Sequence, residues 1–198
     1  MKFRLISRVL GIGLIAFSFL QLTPIIVSII YNEDNIVAFA YSFLITLAFG
    51  SFLYLVNFEK KYEGIRIKEG FLLTVLLWLF FTIFATLPLI FGSKSGLSIV
   101  SAYFEATSGL TTTGATIFSD LSGEYYSILF YRGLLQWIGG LGIIVLAIAL
   151  MPLLGVGGMQ LYRGETQGPI NQSKLRPKIA ETAMVLVYIY LILTLLCF

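Results

Sequence analysis

Thr111, Thr112, Thr113 and Gly114 put oxygen at every position of a four-residue run that carries no charge. Each threonine sets a hydroxyl beside its own carbonyl, and glycine opens the left-handed backbone that can turn carbonyls inward. Such a set can replace the water shell of a cation. Without a carboxylate it suits a monovalent ion better than calcium. Alone, the tetrapeptide reads first as an ordinary threonine-rich turn, so its surroundings decide. It sits in residues 98–121, SIVSAYFEATSGLTTTGATIFSDL, a stretch too short and too polar to cross a bilayer. A helix from Ser98 to about Gly109 covers about 18 Å, against a hydrocarbon core of about 30 Å. The residues after it would be irregular backbone at membrane depth, which must be buried in protein or line a wet path. The pattern predicts a re-entrant pore helix followed by a filter strand, with Ala115 next to the strand.

The elements that must hold this stretch are apolar. Of the 198 residues 58% are hydrophobic and 12% charged, with mean hydropathy +0.94. A soluble domain carries about 25% charged residues. The expected fold is an all-α polytopic membrane protein. With no histidine and Cys197 as the single cysteine, histidine chemistry, thiolate metal clusters and intrachain disulfides are excluded. No nucleophile–base pair is visible, so an enzyme is not expected. No water-exposed basic domain offers itself to nucleic acid.

Charge-free runs at residues 9–31 and 36–58 form an N-terminal two-helix unit, residues 1–58, with Gln21 and Pro24 inside the first run. The first run is too long for a signal-peptide core and lacks a prompt cleavage site. A basic connector at 59–70 precedes a repeat at 71–154: a span at 71–92 that Pro88 would kink or stop, the pore stretch, and a span at about 127–154. A second connector, 155–178, leads to an apolar run at 179–198. Three basic residues precede the first span, four lie in the first connector and four between Arg163 and Lys178, eleven of thirteen in all. The positive-inside rule therefore predicts a cytoplasmic N-terminus and a pore stretch entering from outside. The short helix would then aim its C-terminal end, carrying roughly half a negative charge, at the membrane centre.

Glu105 lies mid-helix in the pore stretch and Arg132 near the outer end of the next span. Intramembrane charges are usually paired, so the two are expected to brace the pore helix; the alternative is that Arg132 snorkels to the headgroups. Gly139, Gly140 and Gly142 suit close helix packing, or a hinge. Gly155, Gly157 and Gly158 lack the strand and the Gly-Lys-Ser/Thr of a phosphate loop. The sequon at Asn171 falls in the connector expected to be cytoplasmic, where it has no meaning.

The run FEATSGLTTTGAT, followed by YRGLLQWIGGLGIIVLAIALMPLLGVGGMQLYRGETQGP, resembles the first repeat of the Trk/Ktr/HKT potassium transporter superfamily, nearest to its TrkH type. The glycine-rich WIGGLGIIVLA and VGGMQL segments carry most of that resemblance. It implies four consecutive span–pore-loop–span repeats around one pore, each giving one filter strand. Thr112 and Thr113 match the ion-contacting positions, flanked by Thr111, Gly114 and Ala115. Members with serine at the Gly114 position tend to admit sodium, so glycine implies potassium as the transported ligand; no cofactor is implied. Implied partners are the lipid bilayer, the remaining repeats, a cytoplasmic nucleotide-binding regulatory subunit of the TrkA type, and a second copy in a homodimer. The implied location is the bacterial inner membrane. Since one repeat and the start of a second are present, the chain is expected to be the N-terminal portion of a longer transporter. The competing readings are a one-repeat protein that self-assembles into a cation pore, and a non-transporting remnant.

Overall fold

The computed structural model describes residues 3–56, 67–150 and 175–197, and every regular element among them is an α-helix. In order these are α1 (Phe3–Leu20), α2 (Thr23–Ile30), α3 (Ile36–Val56), α4 (Ile67–Gly92), α5 (Ile99–Leu110), α6 (Tyr126–Leu150) and α7 (Leu175–Leu196). Among the described residues four segments are long and apolar enough to cross a membrane: Phe3–Ile30, Ile36–Val56, Glu69–Gly92 and Tyr126–Ile144. Among the described residues α7 contributes the apolar stretch Met184–Leu196. Met1–Ile138 forms one compact unit and Gly139–Phe198 another.

The first unit is built on helix stripes. In α1, Ile6, Leu10, Leu14 and Phe17 recur at helical spacing and are buried where α1 meets α3 and α4. A Cβ on Gly11 would lie 2.7 Å from the Gly50 carbonyl oxygen and 2.8 Å from the Tyr54 nitrogen, so glycine lets α1 and α3 touch backbone to backbone. Behind them Phe39, Leu89, Leu110, Tyr131 and Leu135 close one core around α5. Large apolar side chains such as Ile26, Leu44, Phe52, Val75 and Val100 face outward, as lipid-facing residues do. Buried hydroxyls are satisfied within their own helices: those of Thr46, Thr82 and Thr86 donate to the carbonyls of Ser42, Trp78 and Thr82.

Two proline sites interrupt the backbone hydrogen bonds of the spans. The first span is broken at Gln21 and Leu22 into α1 and α2. Pro24 has no N–H for the Leu20 carbonyl, and the Thr23 hydroxyl takes its place at 2.8 Å. In α4 the helix does not stop at Pro88 but continues to Gly92. The missing N–H of Pro88 would have bonded Phe84, whose carbonyl instead accepts from Gln21 Nε2 at 3.0 Å. The next carbonyl, Ala85, accepts from the Tyr131 hydroxyl at 3.1 Å. Gln21 is fully buried and its amide oxygen accepts from the Thr46 hydroxyl at 3.1 Å. One polar side chain from the broken first span thus repairs the proline break in the third.

Two helix starts fall within the connectors expected at 59–70 and 155–178. Helix α4 starts at Ile67, with Glu69 in its first turn, where the helix dipole favours an acid. Helix α7 starts at Leu175, with Pro177 in its first turn, where a missing N–H is harmless. The remainder, residues 59–66 and 155–174, with Gly155, Gly157, Gly158 and Asn171, lies outside the described residues.

Candidate functional site

Helix α5 has 12 residues, about 18 Å at 1.5 Å each, and starts on a cap. The Ser98 hydroxyl accepts from the Ser101 amide at 3.2 Å, satisfying one of the free donors of the first turn. Ala102, Glu105, Ala106, Gly109 and Leu110 follow at spacings of three and four and form its buried face. That face lies on α6: a Cβ at Gly109 would sit 3.0 Å from Leu135 Cβ and 3.8 Å from the Arg132 carbonyl oxygen.

The exit from α5 shapes the threonine run. The Thr113 amide donates to the Ser108 carbonyl at 2.9 Å and the Thr112 amide to the Gly109 carbonyl at 3.0 Å. These two bonds close a Schellman turn, in which the residue after the cap must be left-handed. That residue is Thr112, at φ 55°, and Gly114 follows at φ 75°. Glycine adopts this backbone freely; a β-branched residue does so rarely, and such strain collects at functional sites. The Thr111 and Thr113 hydroxyls lie 2.8 Å apart, and Thr111 also donates to the Thr107 carbonyl at 2.8 Å. Thr111, Thr112, Thr113, Gly114 and Ala115 are all exposed. Among the described residues no hydrogen bond reaches the carbonyls of Thr111, Thr112, Thr113 or Gly114. The row ends at Ala115, whose carbonyl accepts from the buried Ser108 hydroxyl at 2.6 Å.

Behind the strand stands Glu105, 3% exposed. One carboxylate oxygen accepts from the Thr116 hydroxyl at 2.5 Å and the Ile117 amide at 2.6 Å. The other accepts from Arg132 Nε at 2.9 Å. The Arg132 guanidinium also lies over the Phe118 ring, 5.1 Å from its centre. The structure therefore brings Glu105, Arg132 and the strand leaving Ala115 together, with Arg132 turned inward rather than only towards headgroups. Gly139, Gly140 and Gly142 lie in an unbroken stretch of α6. Within the second unit, a Cβ at Gly140 would lie 2.6 Å from the Tyr190 hydroxyl of α7, a close-packing contact.

Sequence reading did not reach three other anchors. Glu124 accepts from the Ser93 hydroxyl at 2.7 Å, the Lys94 amide at 2.6 Å, the Ser95 amide at 3.2 Å, the Ser95 hydroxyl at 2.8 Å and the Tyr125 amide at 3.1 Å. Burial pushes its carboxyl up, but these donors together outweigh burial and hold it below the ordinary glutamate value. Asp120, exposed nearby, is also lowered, by the hydroxyl and then the amide of Ser122. Glu33, in the turn between α2 and α3, accepts from the Tyr126 amide at 2.6 Å and the Ser127 amide at 3.1 Å. Asn35 Nδ2 donates to the Gly92 carbonyl at 3.2 Å and to Ser127 Oγ at 2.8 Å. An acid and an amide between two spans read as turn chemistry; no spacing points from them to residues some 90 positions on.

Comparisons with known proteins converge on one family. The model of the TrkH family, described as cation transport proteins, matches residues 35–198. The Trk system potassium uptake protein TrkH of Escherichia coli K12 is 48% identical over 197 residues, covering 100% of this chain and 41% of that protein. The Trk system potassium uptake protein TrkG of the same organism is 37% identical, covering 98% of this chain and 40% of that protein. The crystal structure of the potassium transporter TrkH from Vibrio parahaemolyticus superposes with a TM-score of 0.82 at 40% identity, over 98% of this chain and 38% of that one. The chain thus spans about two fifths of the length of the curated relatives it matches.

Proposed function

The chain belongs to the TrkH family of cation transport proteins, and from that premise we propose that it supplies one of four filter strands of a potassium uptake pore. Thr112 and Thr113 contact the ion, with Thr111, Gly114 and Ala115 completing the strand. The observation that carries this reading is the row of four carbonyls, at Thr111, Thr112, Thr113 and Gly114, that accept no hydrogen bond among the described residues. At membrane depth no bulk water partners a backbone carbonyl, so a carbonyl left open there must line a wet path or meet an ion. A consecutive row left open at the C-terminal, negative end of a short helix suits a cation that has shed its water. Three further repeats surround the ion, and Glu105 and Arg132 brace the strand from behind. The N-terminus faces the cytoplasm of a bacterial inner membrane. A cytoplasmic nucleotide-binding subunit and a second copy of the full-length protein are its partners.

The test places this chain in the position of the aligned segment of the Escherichia coli relative and measures rubidium uptake with sodium as competitor. The chimera should take up rubidium, and Gly114→Ser should lower its rubidium-over-sodium preference by about tenfold, equal to about 1.4 kcal/mol. Unchanged preference would remove Gly114 from the filter.

A further inference from the structure

We propose that the turn between α2 and α3 is a clamp on the base of the pore loop, through which the leading helix pair positions the filter strand. This inference rests on the filter reading above.

Residues 93–125 leave α4 at Gly92 and enter α6 at Tyr126. Both ends are held by that one turn. Asn35 Nδ2 bonds the last carbonyl of α4, Gly92, at 3.2 Å, and Ser127 Oγ in the first turn of α6 at 2.8 Å. Asn35 Oδ1 accepts from the Ser28 hydroxyl at 2.7 Å, which fixes the amide's orientation. The Glu33 carboxylate takes the two amides that open α6, Tyr126 and Ser127, at 2.6 and 3.1 Å. A carboxylate on the positive end of a helix makes strong, charge-assisted bonds. Glu33, Asn35, Ser28 and Ser127 are all buried.

The turn is built to point away from its own helices. An asparagine just before a helix ordinarily caps that helix; Asn35 immediately precedes α3, yet its side chain serves α4 and α6. The end of α2 closes with the Glu33 amide on the Ser28 carbonyl at 2.9 Å and the Asn32 amide on the Ile29 carbonyl at 3.3 Å. This is a second Schellman turn, with Asn32 left-handed at φ 52°, and it presents Glu33 to α6. Tyr31 and Tyr126 stack beside it with ring centres 4.3 Å apart.

The consequence reaches the filter through α6. Helix α5 rests on α6 at Gly109 and Leu135, and Glu105 reads the strand through Thr116 and Ile117 while holding Arg132 of α6. A shift of the first turn of α6 moves the wall behind the strand.

The experiment uses the chimera with Asn35→Leu, Glu33→Leu and Glu33→Gln, and reads rubidium KM and sodium competition per folded transporter in the membrane. Amide exchange at Tyr126 and Ser127 is read in parallel. Asn35→Leu and Glu33→Leu should lower rubidium-over-sodium preference by roughly threefold or more and speed exchange at those two amides, and Glu33→Gln, which keeps one acceptor, should fall between. Should either leucine variant fail to insert, Ser28→Ala, which removes the hydroxyl that bonds Asn35 Oδ1 and the Glu33 carbonyl, should give a smaller shift in the same direction. Uptake that falls only with the amount of folded protein, with KM and ion preference unchanged, would reduce the turn to a structural joint and overturn the proposal. If Gly114→Ser also leaves ion preference unchanged, the filter reading itself has failed; if Gly114→Ser acts and the turn variants do not, the clamp alone has failed.

Discussion

At the scale of residues, a carboxylate buried among membrane helices is tolerated only when both oxygens are occupied, and Glu105 meets that condition with one arginine, one hydroxyl and one amide. Removing either charge leaves the other buried and unpaired, which costs about 3–5 kcal/mol. Glu105→Leu and Arg132→Leu should therefore each lower the unfolding temperature of the purified protein sharply. The double variant should lose clearly less than the sum of the two. A charge swap, Glu105→Arg with Arg132→Glu, should not restore stability, because the Thr116 hydroxyl and Ile117 amide still need an acceptor at position 105. Additive single losses in thermal melts would remove the pairing. That two charges in adjacent apolar segments should face each other is legible from the sequence, since an unpaired charge there is so costly. The strand contacts of Glu105 are not, because they depend on where the chain runs after Ala115. The left-handed Thr112 is hidden for a similar reason: propensity assigns that backbone to Gly114, and only the hydrogen bonds of the helix exit force it on a β-branched residue.

Among elements, the four crossing segments overlap the apolar runs that hydropathy picks out. What hydropathy misses is how the breaks are repaired. Pro24 and Pro88 announce two defects, but the sequence does not say that Gln21, beside the first, mends the second. That link can be tested as a coupling. Gln21→Leu leaves the Phe84 carbonyl without its side-chain partner in the core, a loss of about 1–3 kcal/mol. Pro88→Ala gives Phe84 an intrahelical donor, so in that background Gln21→Leu should cost markedly less. Equal costs in both backgrounds, measured by thermal unfolding in detergent, would show that Phe84 does not depend on Gln21.

For the whole molecule, three turns that are far apart in sequence share one end of the first unit: residues 31–35, 93–98 and 119–125, tied together by Glu33, Asn35 and Glu124. These turns contain Glu33, Asp34, Asp120 and Glu124 but a single basic residue, Lys94. Lys2, Arg4, Arg8, Lys60, Lys61, Arg66 and Lys68 all fall in the other flanking segments. Retention of basic residues on the cytoplasmic side is what orients such proteins, so the acid-bearing end should face outward, with Asp120 beside the mouth of the filter. In an orientation of this kind α5 enters from outside and its carbonyl end points inward, which the filter reading requires. The test replaces every cysteine of the chimera, Cys197 of this chain included, with serine and then introduces Ser122→Cys or Tyr62→Cys. A membrane-impermeant maleimide should label position 122 in intact cells and position 62 only after the cells are opened. The reverse pattern would invert the topology, and α5 would then enter from the cytoplasmic side, against the filter reading.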